Sequence, residues 1–196
     1  MKIGDYVEFG NYPQNNSDTK EPIEWLVLDV SGNEALIISR YGLDCKQYHS
    51  EYVDMTWENC DLRKWLNNDF LEVAFSDDER KKIKVSNLKN DDNYEFETSG
   101  GKSTKDLVFC LSMAETEKYL RNHKNRKCEP TAYSLEHGVS VDFDDKSHCY
   151  WWLRSPGCKQ DYAMIVDEYE ISDLSSCSVS YDGCAVRPAL WVKLKF

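Results

Sequence analysis

Apolar and polar residues alternate from Ile3 to Phe9, and the turn formers from Asn11 to Asn16 then break the pattern, which predicts a short first strand. Ile23 to Val30 and Glu34 to Ser39 are β-rich runs on either side of Ser31-Gly32-Asn33, where Gly and Asn tolerate the positive φ of a tight hairpin. From Asp61 the period changes. Leu62, Trp65, Leu66 and Phe70 recur at helical spacing beneath a polar face carrying Arg63, Lys64, Asn67 and Asn68. Ser76-Asp77-Asp78-Glu79 has capping-box form, with Arg80, Lys81, Lys82 and Lys84 toward the end where the helix dipole favours cations, so a short second helix follows. Asn87 to Lys105 is polar and centred on Gly100-Gly101, the pattern of a long, mobile connection. Leu107 to Leu111 is strand-like, and Ser112-Met113-Ala114-Glu115 is a second capping box opening a helix to about Arg121. After Ser147 the texture turns to short strands at Tyr150 to Arg154, Tyr162 to Val166 and Ala185 to Leu194, joined by linkers rich in Ser, Asp, Tyr and Cys.

The 196 residues suit one domain, 1–196, and six Trp, twelve Tyr and seven Phe supply large groups for its core. A formal charge of −11 argues against nucleic acid as a partner, because that affinity comes largely from counterions displaced by Lys and Arg. No stretch approaches the roughly 20 apolar residues of a membrane-spanning helix, and Met1 to Asp5 lacks the apolar core of an export signal. A cytoplasmic chain with no membrane partner is therefore expected. The basic segment from Arg121 to Lys127 reads as a solvated helix end with no partner.

Four motifs carry a resemblance: Glu21 to Leu28, Thr56 to Asn67, Trp151-Trp152-Leu153-Arg154-Ser155-Pro156-Gly157, and Val186-Arg187-Pro188-Ala189-Leu190-Trp191. In this order they resemble an uncharacterised bacterial domain-of-unknown-function family over nearly the whole chain. The C-terminal third is also similar, more distantly, to the C-type-lectin-like fold in its formylglycine-generating-enzyme branch. Leu153-Arg154-Ser155-Pro156-Gly157 and Ala185-Val186-Arg187 hold places comparable to that branch's framing motifs, but the cysteines do not align with its catalytic pair. The expected architecture is thus α+β and C-type-lectin-like: a twisted, mostly antiparallel sheet, two or three short helices and long irregular C-terminal loops. The resemblance implies that Ile3 to Phe9 pairs near Leu190 to Phe196. Arg154 and Arg187 sit in apolar runs, where each guanidinium needs carboxylate or carbonyl partners.

Between the two anchors the residue set narrows to Tyr, Ser, Asp and Cys. Tyr offers amphipathic contact area and Ser and Asp adaptable hydrogen bonds, the chemistry of a recognition surface. C-type-lectin-like proteins diversified by retroelements place such residues in similar C-terminal loops. Asp161, Tyr162, Tyr169, Asp173, Tyr181 and Asp182 are the candidate ligand-binding residues, joined by Trp152, because strand alternation sends the rings of Trp151 and Trp152 to opposite faces and leaves one for a cleft. Trp25, Trp65 and Trp191 are read as core. The expectation is a non-enzymatic binding module for a protein or carbohydrate ligand, with no cofactor. The alternatives are an enzyme using a Cys/His or metal site in the same cleft and a purely structural or assembly domain. Eight cysteines without an export signal are read as reduced thiols. The Cys45/His49 and His148-Cys149 spacings lack the paired Cys-x-x-Cys of a zinc site, and Asp142, Asp144 and Asp145 lack an EF-hand's ligand order.

Overall fold

A computed structural model describes residues 1–15, 19–143, 145–167 and 175–194, with His123 described by its backbone alone. In chain order the first strands are β1 (Tyr6–Pro13), β2 (Lys20–Ser31), β3 (Glu34–Ser39) and β4 (Asp44–Cys45). Helices α1 (Asp61–Trp65), α2 (Leu71–Ala74) and α3 (Asp77–Arg80) follow, then strands β5 (Ile83–Lys84), β6 (Ser86–Leu88) and β7 (Thr104–Asp106). Helices α4 (Met113–Tyr119), α5 (His123–Arg126) and α6 (Ala132–Glu136) lead to β8 (Trp151–Pro156), β9 (Tyr162–Val166), β10 (Ser176–Ser178), β11 (Ala185–Val186) and β12 (Ala189–Lys193). The molecule is α+β, and among the described residues all but one of the strand pairs are antiparallel.

One sheet runs β1-β2-β3-β12-β5. The predicted hairpin forms: Ser31 faces Glu34, so its turn is the two residues Gly32 and Asn33, with only Gly32 at positive φ (59°). Five of the six residues of β3 are buried, which is why its sequence is a continuous apolar run and not an alternation. Because β3 is flanked by β2 and β12, the first and last strands share a sheet without touching: β12 pairs with β3 and β5, not with β1. The expected pairing of the chain ends is corrected to that extent.

Helix α1 buries Leu62 and continues through a π-helical turn, Leu66–Phe70, into α2, burying Leu66, Phe70 and Leu71. Asn67, expected on the polar face, instead holds Leu107 and Val108: Oδ1 accepts the Leu107 N–H at 2.7 Å, and Nδ2 donates to the Val108 carbonyl at 2.9 Å. Leu107 to Leu111 therefore forms no strand. Its backbone is taken up by Asn67, by reciprocal bonds between Phe109 and Ala189, and by the Arg154 N–H on the Leu111 carbonyl at 3.0 Å. Both capping boxes form, at Ser76/Glu79 on α3 and Ser112/Glu115 on α4.

The second sheet runs β10-β9-β8-β11-β4, with β8 and β11 parallel. Strand β8 is central and covered on both sides. Its two tryptophans do point to opposite faces, yet both are wholly buried, so Trp152 is a core residue and not part of an exposed ligand surface. Trp152 packs 5.6 Å from Tyr48 and donates its indole N–H to the Lys46 carbonyl at 2.8 Å. Trp57 is equally enclosed, whereas Trp65 and Trp191, read as core, are only partly buried. The polar stretch after Asn87 is likewise not a free connection. Strands β6 and β7 pair at its base, and Thr98 Oγ1 donates to the Gly157 carbonyl at 2.7 Å. Asn90 Nδ2 donates to the Lys102 carbonyl at 2.7 Å, and a side chain at Gly100 would meet backbone oxygens of Asn90 and Asp91 at 2.5 and 2.4 Å. Glycine is needed there because the two limbs of the arm touch.

Candidate functional site

Residues 90–103 fold over the end of the second sheet as an arm. The Asn93 and Thr98 backbones bond each other at 2.9 and 3.2 Å, and Asn93 Nδ2 donates to the Pro156 carbonyl at 3.3 Å. This places Asp91, Asp92, Asn93, Tyr94 and Glu95 opposite the first turn of α4. Between them lies a cavity of about 270 Å³. Its floor is apolar, made by Met113 and Ala114 from α4, Pro156 from β8 and Met164 from β9, while Asp91, Asp92, Glu95 and Glu117 supply carboxylates along its walls. Tyr94 stands at the edge with 82% of its surface exposed. A large ring held in water beside an apolar floor is the feature that distinguishes this place from ordinary surface.

The cavity's walls are fixed from behind. Arg154, only 3% exposed, binds both carboxylate oxygens of Glu115, with Nη2 to Oε1 at 2.9 Å, and donates to the carbonyls of Cys110 and Lys89 at 3.0 and 3.4 Å. Glu115 is also the N3 residue of the α4 capping box, so one carboxylate fixes the helix start and neutralises the buried charge. Ser155 Oγ accepts the Met113 N–H at 3.0 Å, tying α4 to β8 across the cavity floor. Of the wall carboxylates, Asp91 is paired with Lys89 and Asp92 accepts the Gly100 N–H at 2.9 Å. Glu117 is exposed and has no ion-pair partner among the described residues.

The residues expected to form the ligand surface fall into two groups. Asp161 and Tyr162 lie at the β8–β9 turn beside the cavity, and alternation along β9 places Tyr162 on the same face as Met164. Tyr52 is hydrogen-bonded to Asp161, which pushes its hydroxyl up to about 12, and Lys159 lies 5.4 Å over the Tyr162 ring. Tyr181 and Asp182 belong elsewhere. The Tyr181 hydroxyl meets Ser140 Oγ at 2.8 Å, and the Asp182 carbonyl accepts the Cys45 thiol at 2.9 Å. The two groups are joined through Ser178, which pairs with Tyr162 and accepts the Tyr181 N–H at 2.9 Å. Tyr169 and Asp173 lie outside the described residues. The arm and the start of α4 were not singled out from sequence as a site; the acidic-aromatic run Asp91-Asp92-Asn93-Tyr94-Glu95 was the available signal.

The eight cysteines are all free. Burial pushes the Cys45 thiol up to about 11 and that of Cys60 up to about 12, which keeps both protonated near neutrality. His137 Nδ1 meets the Tyr133 carbonyl at 2.7 Å and His148 Nδ1 meets Asp145 at 2.7 Å. His49 Nδ1 lies 2.9 Å from Asp61 but is misaligned for a hydrogen bond. None of these three contacts is a thiol. Among the described residues no three metal-ligating side chains converge, and Asp144 is not among them.

Among the described residues no helix is long and apolar enough to cross a membrane. No curated protein and no solved structure matches the chain. The model of a domain of unknown function (DUF6273) matches residues 32–194, a span that includes the arm, α4 and the whole second sheet. On this match the chain belongs to the DUF6273 family.

Proposed function

We propose that the chain is a non-enzymatic binding module and that its recognition site is the cavity between the 91–95 arm, α4 and the β8–β9 hairpin. The observation that carries this reading is an apolar floor under four carboxylates with Tyr94 exposed at the lip. Such a site suits an extended apolar stem ending in a cation, as on a lysine or arginine side chain of a protein partner: the stem covers Met113, Ala114 and Pro156 while the charge meets Glu117 and the Tyr94 ring. Tyr162, Asp161 and Tyr52 extend the surface beyond the cavity. Of the Tyr/Ser/Asp-rich loops expected after Gly157 to form the contact surface, this reading takes in Asp161 and Tyr162, and it adds two segments from the middle of the chain.

The finer reading of the fold as C-type-lectin-like, with loops diversified by retroelements, belongs to the same proposal. It is supported by first and last strands sharing one sheet and by a second sheet of short strands linked irregularly.

The test is a calorimetric titration of the folded protein with a short uncharged-backbone peptide amide containing one lysine, against the same peptide with norleucine. The lysine peptide is expected to bind saturably and the norleucine peptide about tenfold more weakly. Tyr94→Ala and Glu117→Gln should each weaken the lysine peptide about threefold, the size of an exposed cation–π or ion-pair contact, and leave the melting temperature unchanged. Equal affinity for the two peptides would overturn the cationic assignment. Binding of a neutral oligosaccharide, indifferent to Glu117→Gln, would replace it with a carbohydrate one.

A further inference from the structure

The two arginines of the sequence anchors are buried alike, at 3% exposed each, but they are not compensated alike. Arg154 has Glu115. Among the described residues Arg187 has only carbonyls: Nε donates to Ser39 O at 3.0 Å, and Nη1 to Asn125 O at 2.9 Å and Arg126 O at 3.4 Å, while the guanidinium lies 5.0 Å over the Trp151 ring. Among the described residues no carboxylate is within ion-pair distance of Arg187, and its Nη2 donates to none of them. A buried charge whose donors are mostly satisfied still lacks a countercharge, and removing an ion from water without one costs several kcal/mol. The charge is also felt by a neighbouring thiol. Burial raises the Cys128 thiol, but the hydrogen bond from Cys149 and the charge of Arg187 outweigh it and hold Cys128 below its ordinary value.

Arg187 opens onto a second cavity, of about 130 Å³, on a different part of the molecule from the acidic one. The basic segment read from sequence as solvated and without a partner supplies one wall, through Lys124 and Lys127. Arg40 and His148 supply others, and the aromatic rings of Tyr6 and Tyr41 complete it. The charges here do not cancel. Arg40 is paired with Glu24 at 2.6 Å, and Lys127 and His148 share Asp145 at 3.2 and 2.7 Å. Among the described residues, the exposed Lys124 has no ion pair and Glu129 is the one carboxylate lining the space. In a chain of net charge −11, Arg40, Lys124, Lys127 and Arg187 are thus gathered around a space too small for a folded segment.

We propose that this cavity binds a phosphate group, with Arg187 and Lys124 as its principal ligands and Arg40 and Lys127 completing the positive field. The fixed guanidinium offers a planar N–H edge to oxygen, the geometry for which arginine is suited. The anion supplies the countercharge that no described residue gives Arg187 and that Glu115 gives Arg154. The proposal is independent of the acidic cavity's occupant.

The test is titration with inorganic phosphate and, in a second arm, glycerol 3-phosphate, at constant ionic strength set with sodium chloride, read by calorimetry and thermal unfolding. A saturable rise in melting temperature is expected, with Lys124→Ala weakening phosphate about three- to tenfold without altering the unliganded melting temperature. Arg187→Lys keeps the charge but loses the planar edge; where it folds, it should weaken phosphate at least as much. Comparable affinity for glycerol 3-phosphate assigns the site to a phosphate ester, and binding of inorganic phosphate alone assigns it to the free ion. A response to phosphate no larger than to chloride, or an affinity unchanged by Lys124→Ala, overturns the proposal.

Discussion

Glu115→Ala is expected to destabilise the protein by about 3–5 kcal/mol, the usual cost of removing one partner from a buried ion pair. For a chain of this size that corresponds to a melting temperature lower by roughly 10 °C or more. Two losses combine. Arg154 keeps its bonds to the Cys110 and Lys89 carbonyls and to Asn90 Oδ1, so most of its donors stay satisfied, but its charge is left in the interior without an opposite one. Helix α4 meanwhile loses the carboxylate that accepts the Ser112 N–H at 3.0 Å, worth about 1 kcal/mol in a typical cap. A second substitution separates them. Arg154→Met in the Glu115→Ala background removes the stranded charge, so the double variant should be more stable than Glu115→Ala alone, while the capping loss persists. Urea unfolding of the four proteins gives the coupling directly. A double variant as unstable as the sum of the two singles would mean that the pair is not the reason Arg154 is tolerated inside. Because Ser112, Met113 and Ser155 line the acidic cavity, Glu115→Ala should also abolish lysine-peptide binding, whereas Glu117→Gln weakens it without loss of stability.

The contrast between Glu115 and Glu117 also shows what a sequence can and cannot display. Both capping boxes and the Gly32 hairpin were legible because their determinants lie within four residues of one another. Helix α1 was legible from its apolar period, but Asn67 was assigned to the polar face, since its partners Leu107 and Val108 come from about forty residues away. Trp25 was read as core and is wholly buried, but the assignment of Trp152 to a ligand surface failed for a related reason. Trp57 and Trp152 are enclosed because Tyr48 packs 6.0 and 5.6 Å from them, a meeting set by the second sheet and not by local pattern. The requirement that Arg154 and Arg187 find polar partners could be read from their apolar surroundings; that one would meet a carboxylate and the other an open cavity could not. The acidic cavity was the least legible feature. Its walls come from residues 91–95, the start of α4 and the β8–β9 hairpin, and no spacing in the chain connects them.

Asp106→Ala is expected to cost about 3–5 kcal/mol as well, by a different route. Asp106, 1% exposed at the end of β7, takes three donors. Its Oδ2 accepts the Trp57 indole N–H at 2.9 Å and the Thr104 hydroxyl at 2.8 Å, and its Oδ1 accepts Arg63 Nε at 2.7 Å. Truncation leaves the wholly buried Trp57 N–H and the Thr104 hydroxyl unpaired, at about 1–3 kcal/mol for each such group, and removes the counterion of a guanidinium only a quarter exposed. Asp106→Asn retains one oxygen but turns an NH2 toward a donor, so an intermediate loss is expected. The three donors come from the segment before α1, from α1 itself and from β7, which makes Asp106 the tie between the helix and the base of the arm carrying Tyr94. Hydrogen exchange should therefore show the damage unevenly. In the Asp106→Ala protein the Asn93 and Thr98 amides, each donating to the other residue's carbonyl across the arm, should lose protection before the β2–β3 amides do. Uniform loss across both would mean that the arm is held by its contacts with Pro156 and Gly157 alone, and that the β6–β7 pair contributes nothing separate to the shape of the cavity.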